Sequence, residues 1–301
     1  MADRGPVARF IRRYIVYPVQ GAAIWSAYFV GRALSIEASS AMGSILFRTF
    51  GSRMRVDKIA RRNLGRAMPE LGDDEIDRIV RGMWDNLGRG AGECAHLDRI
   101  ITYGADARVE VLGRENLAGL RDDGVPGIFF SAHLANWEIA CIATTQHDVP
   151  VGQIYRSADN PFIDNLFRRM RSCISGLRIP KGRDGARQAL MLMRDGGHLA
   201  LLVDQKLNEG MAIPFFGRDA MTPTAPARLA LRFRCPVVPV RVERLPDVRF
   251  RITFFPPLDL PDTGDGDEDT RLLLTEMNRI IEGWVRERPE QWFWVHRRWP
   301  D

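Results

Sequence analysis

Residues 127–138 read GIFFSAHLANWE, and this stretch decides the fold class because it delivers a histidine and a carboxylate at the end of an apolar run. Ile128, Phe129 and Phe130 are the side chains of a short buried strand, whereas Trp137–Ala143 has the pattern of a helix with Asn136 as its N-cap. His133 therefore falls in a strand-to-helix turn, a usual position for reactive side chains in α/β folds. Inside one regular helix a five-residue offset would separate two side chains around the circumference. With His133 ahead of the helix and Glu138 in its first turns, the two can meet. Neutral imidazole takes a proton from a hydroxyl near neutral pH, and a carboxylate on its other nitrogen would fix the tautomer and balance the imidazolium that forms. His133 and Glu138 are the candidate catalytic base and its orienter.

His296 and Asp301 repeat the same offset in a Trp- and Arg-rich tail, so spacing alone does not identify a site; the strand and helix around His133 favour the first match. Further strands are predicted at Leu199–Val203, Pro236–Val242 and Val248–Phe255, with helices at Glu75–Asp98, Phe162–Arg171 and Asp269–Arg286. Asp204 emerges at the end of the first of these strands, where site residues collect in α/β sheets. The expected architecture is α/β, a mixed β-sheet flanked by helices. With 301 residues, 45% hydrophobic, and no linker or repeat, we expect one catalytic domain, residues 46–301, behind an N-terminal attachment segment, residues 1–45.

A net charge of +5 suits an anionic membrane surface, anionic lipid headgroups or an acidic protein partner. No zinc spacing or nucleic-acid-reading motif accompanies it, which argues against nucleic acid as partner. Cys94, Cys141, Cys173 and Cys235 form neither a CxxC nor a Cys/His metal spacing, so four reduced thiols and no metal are expected. Without a cleavable secretory signal, the catalytic domain is expected to face the cytoplasm. Tyr14–Gly31 carries no charge for eighteen residues and is bounded by Arg12, Arg13 and Arg32. That length reaches the lower limit for a membrane span, and Pro18, Gln20 and Ser26 make a shallow interfacial helix the competing reading. Arg53, Arg55, Lys58, Arg61, Arg62 and Arg66 follow as a basic stretch suited to anionic phospholipids. Arg168, Arg169, Arg171, Lys181, Arg183 and Arg187 form a second basic group, able to hold phosphate.

HLANWE resembles the His-Leu-Gly-Asn-Trp-Glu signature of the lipid A biosynthesis acyltransferases, the lauroyl and myristoyl transferases of the wider glycerolipid acyltransferase-like group. Tyr155–Pro161 (YRSADNP), Val203-Asp204-Gln205, Pro214–Gly217 with Thr222, and Pro289–Trp299 (PEQWFWVHRRW) resemble further segments of that family in the same order. Two departures stand out: Ala135 replaces the family's Gly, and Lys206 follows Asp-Gln where some members carry a second acid. The resemblance implies His133 and Glu138 as catalytic residues and Arg171 and Asp204 as site support. It implies Arg156, Asn160, Gln205, Gly217 and Thr222 as substrate-binding residues. It further implies a membrane-associated N-terminal helix, attachment to a bacterial inner membrane and no cofactor. An acyl carrier protein thioester is the implied donor and a Kdo-bearing lipid A precursor, an anionic glycolipid, the acceptor. Acyl-CoA-dependent transfer to a phospholipid or glycolipid, thioester hydrolysis, and lipid binding without turnover are the alternatives.

Overall fold

In the computed structural model, which describes residues 5–122 and 124–299, five helices precede the first strand. They are α1 (Pro6–Ile11), α2 (Tyr17–Ala33), α3 (Ile36–Gly51), α4 (Arg55–Ala67) and α5 (Asp73–Glu93), with a π turn at Arg12–Val16 joining the first two. The remaining chain runs β1 (Val109–Leu112), α6 (Arg114–Asp122), β2 (Ile128–Ser131), α7 (Glu138–Gln146), β3 (Val151–Tyr155), α8 (Pro161–Met170), β4 (Arg178–Pro180) and α9 (Arg183–Arg194). It ends with β5 (His198–Leu202), β6 (Met211–Phe215), β7 (Arg218–Thr222), α10 (Ala225–Phe233), β8 (Val237–Leu245), β9 (Arg249–Phe254) and α11 (Gly266–Glu287).

Seven strands form one mixed sheet in the order β1-β9-β8-β2-β5-β3-β4, parallel throughout except for the β8/β9 hairpin. The four residues of β2 are all buried because helices cover both faces of the sheet, which is why this strand reads as an unbroken apolar run. Its side chains alternate between two cores. Ile128 and Phe130 join the side covered by α11, where Phe130 stacks on Trp284, while Phe129 packs with Ile139 and Phe254 on the other. Helix α11 starts at Asp265, whose side chain accepts from the backbone N–H groups of Asp267 and Glu268. The small β6/β7 hairpin turns through Phe216 and Gly217, both at positive φ.

Three expectations need correction. The helix predicted over Glu75–Asp98 ends at Glu93 and tightens into a 3₁₀ turn, Cys94–Arg99. Arg171 lies beyond α8, in a separate 3₁₀ turn, Arg171–Cys173. At the N-terminus, no helix among the described residues is long and apolar enough to cross a membrane. Helix α2 instead lies along the catalytic body: Trp25 Nε1 donates to the Phe162 carbonyl (3.2 Å), and Asn160 Nδ2 donates to the Tyr17 carbonyl (3.0 Å). Helix α3 runs unbroken through position 45 and packs backbone to backbone on α5; a Cβ at Gly43 would lie 2.0 Å from the Gly88 carbonyl oxygen.

Candidate active site

The parallel strands β2 and β5 are hydrogen-bonded neighbours and end at the same edge, which brings the turn after β2 beside the segment that leaves β5. His133 and Asp204 meet there. The His133 backbone N–H donates to Asp204 Oδ2 (2.8 Å), and its ring Nδ1 donates to Oδ1 (2.7 Å). Trp292 Nε1 also donates to Oδ2 (2.8 Å), so the buried carboxylate accepts three hydrogen bonds. Burial alone would raise the Asp204 pKa; the charge and hydrogen bond of His133, with the charge of His296, outweigh it and hold the carboxyl well below the ordinary value. A proton on Nδ1 leaves Nε2 with its lone pair, which accepts from the Gln205 side-chain amide at 3.2 Å. Trp137 and Phe293 flank the ring.

The expected pairing of His133 with Glu138 is therefore replaced by His133 with Asp204. Glu138 belongs to a second pair: its carboxylate accepts from Arg171 Nε (2.9 Å) and Nη2 (2.5 Å), a forked contact that is nearly buried on the glutamate side. Burial would lower the Arg171 pKa, but the charge and hydrogen bonds of Glu138 raise it, keeping the guanidinium protonated. Asn136 is not the N-cap either. Helix α7 begins at Glu138 behind Trp137, and the Asn136 amide donates to Glu93 instead (3.0 Å). Ala135 sits at φ +50°, the left-handed region that favours glycine, which explains in backbone terms why a glycine suits this position.

The remaining predicted residues divide. Gln205 is at the site and Arg156 is exposed beyond β3, near Asp159. Asn160 is committed to structure: Oδ1 caps α8 at the Phe162 N–H, and Nδ2 ties α2 through Tyr17 and Gln20. Thr222 is buried, donating to the Ala220 carbonyl and accepting from Arg298 and Asn278. Gly217 serves the β6/β7 turn at φ +66°. The four cysteines are free, and no group of His, Cys, Asp or Glu among the described residues is arranged to hold a metal.

Two contributors were not foreseen, Trp292 and His296. An isolated bridge between Leu134 and Trp292 lays the C-terminal segment beside the catalytic turn and aims the indole N–H at Asp204. The ring nitrogens of His296 lie against the carbonyl oxygens of Phe293 and Asp204, the latter at 3.0 Å. Burial holds this imidazole below its ordinary pKa, partly offset by the Asp204 charge. Asp301, the other half of the repeated spacing, lies outside the described residues. The Trp-rich tail was visible in the sequence, but nothing there reveals a partner 88 residues away.

The family model for bacterial lipid A biosynthesis acyltransferases matches residues 6–301. The chain belongs to this family. It is 25% identical over 251 residues to the lipid A biosynthesis lauroyltransferase of Escherichia coli K12, covering 80% of this chain and 78% of that protein. The myristoyltransferase of the same organism is likewise 25% identical, over 80% of this chain and 75% of the relative. A lipid A biosynthesis acyltransferase of Haemophilus influenzae is 22% identical over 78% and 73%. As a member, this lipid A acyltransferase homologue is an acyl-group-transferring enzyme.

Proposed function

We propose that the enzyme transfers a fatty acyl chain from an acyl carrier protein thioester to a hydroxyl of a Kdo-containing lipid A precursor. The observation that carries this reading is the hydrogen-bonded chain Asp204–His133, whose outer nitrogen, Nε2, is presented to an accessible amide that an incoming hydroxyl can displace. His133 takes the hydroxyl proton at Nε2, the oxygen attacks the thioester carbonyl, and the C–S bond breaks as the sulfur recovers that proton. Asp204 holds the tautomer and balances the imidazolium. Glu138 uses Nε and Nη2 of Arg171, leaving the Nη1 edge to donate to the carbonyl oxygen or a substrate phosphate. No covalent acyl-enzyme is required. The role assigned to Glu138 is thus to orient Arg171.

Attachment to the inner membrane, with the catalytic edge toward the cytoplasm, would use the apolar side chains left on α1, the π turn, α2 and α3. Phe10, Tyr14, Val19, Phe29, Ile45 and Phe50 are all exposed, and such a surface suits an interfacial rather than a spanning mode. Arg61 of the basic stretch is already paired with Asp57 and Asp77, so it is not a lipid contact in this arrangement.

The test is acyl transfer by wild type and His133→Ala, with acyl carrier protein thioesters and acyl-CoA as donors and a Kdo-lipid A precursor or a phospholipid as acceptor, read by product mass. A gain of one acyl group with the carrier protein donor, lost in the variant, supports the reading. Transfer only from acyl-CoA, or only to phospholipid, overturns the assigned substrates.

A further inference from the structure

The catalytic turn is backed by a buried ion pair that the proposed chemistry does not use. Glu93, fully buried at the end of α5, makes a forked contact with Arg244 at the end of β8 through Nη1 and Nη2. Arg244 Nε donates to Asn86 Oδ1 (2.7 Å), and the Asn86 amide donates to the carbonyls of Ala135 (3.3 Å) and Gln291 (3.2 Å). Gln291 in turn accepts the Ala135 N–H at its backbone carbonyl (2.9 Å) and exchanges two side-chain hydrogen bonds with the Arg244 backbone. Glu93 closes the network on the turn itself by accepting from Asn136 Nδ2 (3.0 Å) and on α3 by accepting from Ser40 (2.9 Å).

An ion pair of this kind is a poor device for stability, because desolvation consumes most of its Coulomb energy. Its partners suggest another use. Ala135 and Asn136, two and three residues after His133, are held at the backbone of one and the side chain of the other. Ala135 is in a left-handed conformation that a non-glycine residue keeps only where its surroundings over-determine it. Helix α5 is in turn locked to α3: a Cβ at Gly92 would fall 2.1 Å from the Ser39 carbonyl oxygen. The turn is thereby referenced to the closely packed α3/α5 pair as well as to the sheet.

We propose that Glu93 is a positioning residue, which holds the His133 turn in catalytic register through Asn136. This deepens the acyl-transfer reading and rests on it. Displacing a catalytic group by about 1 Å costs on the order of 100-fold in rate. Asn136→Ala cuts the tie to the turn while leaving Glu93 with Arg244, and Glu93→Asp, which keeps the charge but shortens its reach, serves as the second variant. Two readouts are taken on the full-length protein. The first is acyl-transfer kinetics: kcat falls about 100-fold in Asn136→Ala and about 10-fold in Glu93→Asp, with KM within about twofold of wild type. The second needs no substrate: the low-field ¹H resonance of the His133 Nδ1 proton bonded to Asp204, identified by its absence in His133→Gln, disappears or moves upfield in both variants. Folded variants that keep the wild-type kcat, or that lose activity while retaining the ring-proton signal, overturn the proposal. A wild type that transfers no acyl group to any acceptor refutes the functional reading alone, and the ring-proton comparison still decides the role of Glu93.

Discussion

Replacing Asp204 with Asn tests which carboxylate serves His133. In the transition state the proton taken by His133 creates an imidazolium opposite Asp204, across the 2.7 Å contact of Nδ1 with Oδ1. With roughly 4 Å between charge centres and an effective dielectric of about 20, that attraction is about 4 kcal/mol, or on the order of 10³ in rate. The amide adds a second effect. Trp292 and the His133 backbone N–H both donate to Oδ2, so the orientation that preserves those two bonds turns the new NH₂ toward Nδ1. A donor there moves the ring proton to Nε2, where it blocks base function. We therefore expect kcat to fall about 10³- to 10⁴-fold with KM little changed, measured as initial rates of product formation by mass spectrometry. Glu138→Gln acts instead through Arg171 and leaves the His133 ring proton in place. A folded Asp204→Asn protein within about fivefold of the wild-type kcat would refute the assignment of Asp204 as the orienter. The same variant changes acid stability. Because the folded carboxyl lies below its ordinary 3.8, the stability it lends is present above about pH 4 and is lost as pH falls toward the folded value. Acid-unfolding curves of Asp204→Asn should fall less steeply than those of wild type over this range, the remaining slope coming from carboxyls such as Asp85 and Asp98 that are also held below 3.8.

Ala135→Gly relieves a left-handed alanine and should raise the thermal midpoint by about 2 °C, corresponding to about 1 kcal/mol, as read by calorimetry; a lowered midpoint would contradict the strain argument. Phe10→Asp combined with Phe29→Asp removes two exposed rings, each worth about 1.5–3 kcal/mol when buried, so partition onto anionic vesicles should drop by at least about 100-fold in a sedimentation assay. Equal partition would remove these helices from the attachment surface. Burial pushes the Cys235 thiol up to about 11, so iodoacetamide at pH 8 should label it only after denaturation, as read by peptide mass.

The strands at 128–130, 199–203, 236–242 and 248–255, and the long helix near the C-terminus, were legible because burial on both faces of a sheet, or on one stripe of a helix, writes a period into the sequence. Helix ends were less legible: Asn136 has a good capping side chain, yet a buried glutamate competes for it. The order of the motifs is enough to indicate the family; His133, Glu138 and Asp204 stand out from their local pattern, and Arg171 only from the resemblance. Their partnership was not. Asp204 reaches His133 because β2 and β5 are parallel neighbours ending at one edge, which places residues 71 apart within hydrogen-bond distance. Glu138 likewise turns to a residue 33 positions along the chain, Arg171 in the turn after α8. Residue types and local periodicity are properties of the chain itself, whereas which donor faces which acceptor depends on strand order and on the path of the C-terminal segment. Here that path brought Trp292 to the carboxylate of Asp204 and His296 to its backbone carbonyl, contacts that no spacing could have connected.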